Sequence, residues 1–460
     1  MGAARTVTGS RHLVHVNGKK ILLDCGMFQD KGSDNQDRNQ HFGFDPASVD
    51  YVILSHAHID HSGCLPRLVK DGFSGPIFAT PATIDLCAVM LADSAHIQEN
   101  DVAYINKKRK ARGQKLLKPI YTEDDVLETM KLFVPVHYRE IHTIEKGISF
   151  RFTDAGHILG SAAVHLELKE NNQTVHLTFT GDIGRYHDLI LKSPETFPQA
   201  DYIIAESTYG DRLHDATEDA MQSLLDVVKQ TCVEKQGKLI IPAFSLGRTQ
   251  EIVYTLNMLW NEGKLPRIKV FVDSPLSVNA TEIMRQHSDN FNDEVLRSMQ
   301  ADPDPFGFSG LEYIHEVEDS KALNNYRGPC IIISASGMLE AGRIKHHVMN
   351  NIGDLNNTIL LVGYCPPHTL GGQLLARKPY VKIFGKEFEV RAEVTTIGSY
   401  SAHADYKEMI QYLSCQDKQK VKKIFLVHGE PPVQEKYREH LKDVGFHHVE
   451  IPDQGSRHEL

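Results

Sequence analysis

Between positions 56 and 61 the chain reads His-Ala-His-Ile-Asp-His, so four potential ligands, His56, His58, Asp60 and His61, fall within six residues. Imidazole nitrogen and carboxylate oxygen suit Zn²⁺, and a protein site without thiolate is of the catalytic rather than the structural kind. Four such groups are more than one open catalytic zinc takes from a single loop. The spacing therefore predicts two ions, with His56 and His58 on one and Asp60 and His61 on the other. The chain has 25 histidines, so a lone one carries little meaning; this cluster does. Such a loop works only if its start is fixed. Tyr51-Val-Ile-Leu54, directly before it, is a short apolar run that reads as a buried strand.

Other candidates also sit where apolar runs end. His12–Val16 and Lys20–Asp24 flank Asn17-Gly18, a hairpin signal. Asp24 closes its strand ahead of Cys25-Gly26, where it either orients a histidine of the metal loop or simply forms the turn. His157 lies in Asp154-Ala-Gly-His-Ile-Leu-Gly160, and Asp182 in Leu177-Thr-Phe-Thr-Gly-Asp182. Each follows a β-type run and has a glycine beside it that permits close backbone approach. Near the end, Ser399-Tyr-Ser-Ala-His-Ala-Asp405 is expected to begin a helix and contains Ser401 and His403. Ile424-Phe-Leu-Val-His428 reads as a strand that ends in histidine.

Composition narrows the classes. A chain of 460 residues suggests two to three domains, and 41% hydrophobic with 24% charged residues is ordinary for a globular protein. The net charge of −10 does not suggest a generic polyanion binder, so any nucleic-acid contact must come from local basic groups. Seven scattered cysteines without a CxxC pair argue against a disulfide framework and a thiolate zinc site, and fit a reducing cytoplasm. No apolar run approaches the roughly 18 residues of a membrane span. The N-terminus MGAARTVTGS has no apolar signal region, so the final Arg-His-Glu-Leu is expected to be a chance likeness to a retention tail.

Residues 82–112 carry an apolar stripe (Ile84, Leu86, Val89, Met90) and are expected to be helical. They run into Lys107-Lys-Arg-Lys110 and Arg112, which is either a solvated helix end or an electrostatic contact to RNA phosphates. Thr122-Glu-Asp-Asp125 reads as a capping box. From about 206 to 390 short apolar strands begin at Lys238, Lys269, Cys330, Thr358 and Val381, with helices such as 249–260 and 279–299 between several of them. That alternation predicts a parallel sheet, which binds ligands beyond its carboxyl ends. Those ends are Ser245-Leu-Gly-Arg248, Ser274–Ser277, Ser334-Ala-Ser-Gly337 and Gly363–Pro366. Their amides, hydroxyls and guanidinium suit a phosphate backbone, with Arg248, Ser334, Ser336, Gly337 and Ser401 as candidate contacts. Gly, Ser and Pro are equally the ordinary formers of turns.

The His-x-His-x-Asp-His segment, with His157 and Asp182 in order after it, resembles the signature of the metallo-beta-lactamase fold hydrolases. Glu206 in Ala-Glu-Ser-Thr-Tyr-Gly, His403 in Ser-Ala-His-Ala-Asp and His428 in Val-His-Gly-Glu resemble the further motifs of its beta-CASP nucleases. That branch includes the RNA-cleaving subunit of the polyadenylation complex and ribonuclease J. The resemblance covers nearly the whole chain. It implies an α/β protein: an αββα sandwich formed by residues 1–205 and 393–460, with an inserted parallel-sheet beta-CASP domain at 206–392. It also implies two Zn²⁺ per chain, His157 completing the first site, Asp182 bridging, His428 completing the second, and Asp24 behind the ligands. Asp60, Glu206 and His403 would then act in catalysis, His403 as general acid held protonated by Glu206. The implied activity is two-metal hydroxide cleavage of RNA, expected to be single-stranded, internally or from the 5′ end. A homodimer is among the expected partners. By the resemblance the chain starts inside the family's first strand and looks like the compact bacterial form, without an N-terminal RNA-binding region or a long C-terminal extension.

Two rivals remain at this stage. Another hydrolase of the same fold, acting on a thioester, a lactone or a β-lactam, would share the first motifs, but it needs neither the inserted domain nor Glu206 and His403; DNA as substrate stays open, because nothing in the sequence reads the 2′-hydroxyl. A non-catalytic RNA-binding or scaffolding protein would have lost ligands, and none is lost here.

Overall fold

A computed structural model describes residues 2–29, 34–214, 218–363, 365–398 and 401–460. The chain forms two compact units. The first comprises Met1–Asp188, Lys192–Leu213 and His403–Leu460; the second comprises Leu189–Leu191 and His214–Ala402.

The first unit is built on two sheets. One has strands β1 (His12–Val16), β2 (Lys19–Leu23), β3 (Tyr51–Ile53), β4 (Ile77–Ala79) and β5 (Phe133–Pro135) in that order. The β1–β2 hairpin turns at Asn17-Gly18, and the remaining neighbours run parallel. The other sheet contains β6 (His142–Glu145), β7 (Ile148–Asp154), β8 (Ala162–Glu170), β9 (Gln173–Phe179) and β10 (Tyr202–Glu206). The late strands β19 (Lys423–Val427) and β20 (Val449–Glu450) extend it beyond β10. Alternate residues of β7 to β9 (Phe150, Phe152, Val164, Leu166, Leu177, Phe179) pack on Val14, Ile21 and Ile53 of the first sheet. This pattern of period two closes the sandwich. A second core joins β10 and β19 to the helices Tyr406–Leu413 and Pro431–Asp443 through Ile203, Met409, Tyr412, Leu426 and Tyr437. Because β10 and β19 pair in parallel, Glu206 and His428 leave the sheet side by side.

The second unit holds a six-stranded, all-parallel sheet in the order β13 (Leu311–Tyr313), β12 (Lys269–Val272), β14 (Cys330–Ser334), β11 (Lys238–Pro242), β15 (Thr358–Leu361), β18 (Glu393–Thr396). Three expectations shift here. Val381–Phe384 does not join this sheet: β16 (Tyr380–Ile383) pairs antiparallel with β17 (Lys386–Glu389) as a separate ribbon. The edge strand is instead β18, so the unit runs past 392, and residues 206–213 belong to the first unit. The helix expected over 279–299 is two helices, Pro275–Gln286 and Asp293–Ser298, because Asn292 caps the second one with its side chain. Tyr364, in an expected strand-end loop, and Ser399 and Tyr400, in the stretch expected to begin a helix, lie outside the described residues. Among the described residues no helix is long and apolar enough to cross a membrane.

Candidate metal centre

Val52, Ile53 and Leu54 are fully buried, so the ligand loop leaves a fixed base. Its backbone is held from outside. Ser10 N–H donates to Asp60 O, Cys25 N–H to His61 O and Met27 N–H to Ile59 O, at 2.8–2.9 Å. A Cβ at Gly26 would lie 1.6 Å from Asp60 O, so only glycine lets the two segments touch. At Gly184 a Cβ would meet Gly156 O at 1.7 Å, and this close approach seats the Asp182 loop against the His157 loop.

Two groups of donor atoms result: His56, His58, His157 and Asp182 in one, Asp60, His61 and His428 in the other. In the first, His58 Nδ1 lies 3.2 Å from both His56 Nε2 and His157 Nε2. Asp182 Oδ2 is 3.6 Å from each of those two nitrogens. Four ligands placed about 2.05 Å from a zinc-sized ion form a tetrahedron with edges of about 3.3 Å, close to these values. In the second group His428 Nε2 is 3.2 Å from His61 Nε2 and 3.2 Å from Asp60 Oδ2. Asp182 Oδ2 also lies 3.3 Å from His61 Nε2, so the same oxygen borders both groups. A proton can satisfy one such imidazole pair but not the set, whereas a cation satisfies every lone pair aimed at it. Asp182 Oδ1 is buried without a hydrogen-bond partner among the described residues, a costly state for a carboxylate unless a cation compensates it. The donor set fits a metal site.

Behind the ligands stand groups that fix their orientation. Asp24 Oδ2 accepts from His61 Nδ1 at 2.6 Å, which leaves Nε2 for the site. Asp24 itself accepts from Ser55 N–H at 2.8 Å and from the Ser10 and Ser55 hydroxyls at 3.1 and 3.0 Å. Ser55 Oγ is 3.0 Å from His56 Nδ1, and Thr208 Oγ1 is 3.0 Å from His428 Nδ1. Asp24 and His428 both hold left-handed backbone, with φ of +58° and +52°, at the ends of β2 and β19. That conformation is unfavourable outside glycine, and here the surrounding bonds enforce it.

The charge states suit ligation. Burial holds His56 far below the usual imidazole value, with His61 adding to the effect, and brings His58 down to about 4. Burial pushes Asp60 and Asp182 upward, but the imidazoles around them, His61 and His428 foremost, outweigh it and keep both carboxyls low. His61 goes the other way. Burial lowers it, yet Asp182 and Asp24 raise it well above the ordinary value, so a cation must displace its proton.

Glu206 and His403 form a pair beside this centre. His403 Nδ1 is 3.1 Å from Glu206 Oε2 and 3.9 Å from Asp182 Oδ2. Burial lowers His403, but the charge and hydrogen bond of Glu206, then Asp182 and Asp60, raise it to about 9. Asp182, Glu206 and His403 could also be counted as a third donor group. Glu206 is already committed, however: Oε1 accepts from Ile183 N–H and Oε2 from the Thr208 hydroxyl. The pair is therefore arranged to hold a proton.

The candidate substrate contacts are placed differently. Ser334, at the end of β14, is buried and donates to Asp273 O at 2.7 Å. Arg248, which opens the helix Arg248–Asn261, is buried and pairs with Glu251 at 2.5 Å. Ser336 is half-buried and exchanges hydrogen bonds with Ala341, Gly337 packs on the Phe244 ring, and Ser401 is half-buried two positions before His403. Sequence reading missed Ser10, Ser55 and Thr208. A hydroxyl that orients a ligand has no spacing of its own, and only adjacency to His56 and Glu206 could have pointed to the last two.

Three family profiles match the chain in series: the metallo-beta-lactamase superfamily domain at residues 13–204, the Beta-Casp domain at 249–374, and the Zn-dependent metallo-hydrolase RNA specificity domain at 387–452. Ribonuclease TTHA0252 of Thermus thermophilus is 36% identical over 93% of this chain and 92% of its own length. The RNase J-like protein of Methanocaldococcus jannaschii is 30% identical, with 89% of this chain and 87% of that protein covered. The cleavage and polyadenylation specificity factor 73 of Drosophila melanogaster is also 30% identical, over 94% of this chain and 59% of its own. Matched along nearly its whole length by such a relative, and by all three profiles in order, the chain belongs to the beta-CASP family of the metallo-beta-lactamase superfamily.

Proposed function

We propose that this protein is a metal-dependent ribonuclease that hydrolyses phosphodiesters of single-stranded RNA with two Zn²⁺ per chain. The observation that carries the reading is the shared position of Asp182 Oδ2 between two ligand groups, with a proton-holding His403–Glu206 pair alongside. The names of the relatives supply the substrate class.

His56, His58, His157 and Asp182 would hold one ion, and Asp60, His61, His428 and the same Asp182 oxygen the other. When bound, two such cations make hydroxide available from water near neutral pH and offset charge on phosphoryl oxygens. Asp24, Ser55 and Thr208 keep the ligand imidazoles in one tautomer and orientation. His403, protonated at neutral pH, donates to the departing 3′ oxygen, and Glu206 stabilises the imidazolium until then. Ser336, Gly337 and Ser401 are the retained candidates for phosphate contacts; Arg248 and Ser334 hold the fold of the second unit. No thiolate or disulfide enters this chemistry, in keeping with action in the cytoplasm.

The test is incubation of metal-replete protein with end-labelled RNAs bearing different 5′ ends, alongside metal analysis. Two zinc ions per chain and products with 5′-phosphate and 3′-hydroxyl ends are expected. Product sizes over time separate internal cutting from 5′ trimming. Cyclic phosphate ends would sink the reading, because they require attack by the RNA's own 2′-hydroxyl.

A further inference from the structure

The helix Pro81–Ala111 is unusual for its length and for how it divides. At 31 residues it runs about 46 Å. Its first turns are tied to the metal centre's surroundings, since the Thr80 and Thr83 hydroxyls both donate to Gly160 O, at 2.6 and 2.8 Å, three residues beyond His157. Its buried residues end at Ala95, and the remaining turns lie on the surface of the first unit.

That outer half and the segment after it carry seven basic and no acidic residues between 107 and 118, in a chain whose net charge is −10. Lys107, Lys108, Lys110, Arg112, Lys115 and Lys118 are exposed, and none of them makes an ion pair among the described residues. Helix-end stabilisation accounts for Lys108, Arg109 and Lys110 in the last turn but not for the others. Cations help a helix C-terminus only within its last turn, and Lys115 and Lys118 lie beyond it. The segment is also held in place. Asn106 donates to Leu117 O at 3.0 Å and accepts from Leu117 N–H at 2.9 Å, while Arg109 Nε donates to Lys115 O at 2.6 Å. Beside the lysines, Tyr104 is 60% exposed, and Lys108 Nζ sits 4.4 Å from its ring centroid. Unpaired cations next to an open aromatic ring are what single-stranded nucleic acid uses: phosphates meet the cations and a base stacks on the ring.

We propose that the outer half of this helix and residues 112–118 form a docking arm for single-stranded RNA, remote from the metal centre. From Thr83 to Lys107 the helix spans about 36 Å, the reach of about ten stacked nucleotides. The arm therefore engages long RNAs and not short ones. It rests on the ribonuclease reading for its ligand, yet the two can fail separately.

The experiment uses full-length, metal-replete His403→Ala protein, with RNA integrity checked on gels, and oligouridines of 6 and 30 nucleotides. Binding is measured against salt. For the 30-mer, replacing Lys107, Lys108 and Lys110 together by Gln should lower the slope of log affinity against log salt by about 2. Tyr104→Ala should weaken 30-mer binding by about 5- to 100-fold. In both variants the affinity ratio of 30-mer to 6-mer should collapse. In the His403→Ala protein with its arm unsubstituted, a 30-mer carrying 4-thiouridine should photo-crosslink to the peptide spanning 97–118, which reads the contact without any change in the arm. An unchanged salt slope together with crosslinks confined elsewhere overturns the arm. Cleavage of RNA without arm dependence would leave the ribonuclease reading standing alone; arm-dependent binding without cleavage would do the reverse.

Discussion

Two histidine–carboxylate pairs flank Asp182, Asp24–His61 buried and Glu206–His403 with a half-buried imidazole, and their surroundings give them different work. In Asp24–His61 the carboxylate is saturated by Ser10, Ser55 and a backbone amide, and His61 Nε2 points into the ligand group. Removing the acceptor frees the imidazole to turn or change tautomer. Asp24→Ala is expected to weaken binding of the ion at Asp60, His61 and His428 by about 10- to 100-fold, measured by chelator competition. An unchanged affinity would reduce Asp24 to a turn former. In Glu206–His403 the imidazole is not among the proposed ligands, so His403→Ala should keep both ions while kcat falls by about 10²-fold or more; loss of metal would move His403 into the ligand set. The pH dependence follows from the same pair. With a folded value raised to about 9 against 6.5, protonated His403 contributes stability that is complete below about 6.5 and is lost as pH rises through 9. The fraction able to donate a proton falls over the same range. Bound cations oppose the imidazolium and pull this limb lower. Glu206→Gln removes the first stabilising charge, so the alkaline limb of kcat should move to lower pH by a unit or more; a stationary limb would show that another group titrates there.

At the scale of elements, the loops that carry ligands are more demanding than the strands beneath them. Asp154, where β7 hands over to the His157 loop, has its carboxyl raised to about 7, chiefly by burial, although Gly156 N–H donates to it at 2.8 Å. Between about pH 4 and 7 the folded chain keeps a proton that the unfolded chain gives up. Stability therefore falls as pH rises through that window, by up to about 4 kcal/mol. Asp154→Asn keeps an acceptor for Gly156 and cannot ionise. It should match the natural protein near pH 4.5 and exceed it at pH 8 in urea unfolding; an equal difference at both pH values would refute the buried proton. The contiguous ligands were legible because four of them share six residues after an apolar run. His403 and His428 stood out only as histidines at element ends, and their roles, like Glu206 itself, were legible only by resemblance, since the parallel pairing of β10 with β19 that brings Glu206 and His428 together leaves no local trace. The ribbon at Tyr380–Ile383 was misread for a related reason. An apolar β-rich run says that it will pair, and the nearby Gly385 turn, not the run, makes its partner the next segment. Orienting hydroxyls have no spacing of their own, and only their nearness in the chain to His56 and Glu206 marked Ser55 and Thr208.

Across the whole molecule, the first unit is assembled from stretches on both sides of the second, and the proposed ions tie them together. Ligands come from residues 56–61, 157 and 182 before the insertion and from His428 after it. Backbone bonds already hold the return segment: β19 pairs with β10, Ala404 N–H donates to Ile183 O at 2.8 Å, and His428 N–H to Ala3 O at 2.7 Å. The imidazoles facing one another across this junction gain a common partner only when cations are present. Binding confined to the folded state stabilises it by about 2.7 kcal/mol when free metal is a hundredfold above Kd. Amide exchange should therefore slow on loading by about two orders of magnitude in Lys423–Val427 and around Asp182. The strand cores of the second unit, Leu239–Ile241 and Ile331–Ile333, carry none of these ligands and should exchange at the same rate with metal or with chelator. Equal slowing in both units would mean that they open as one, and no slowing in β19 would mean that His428 does not share in holding an ion.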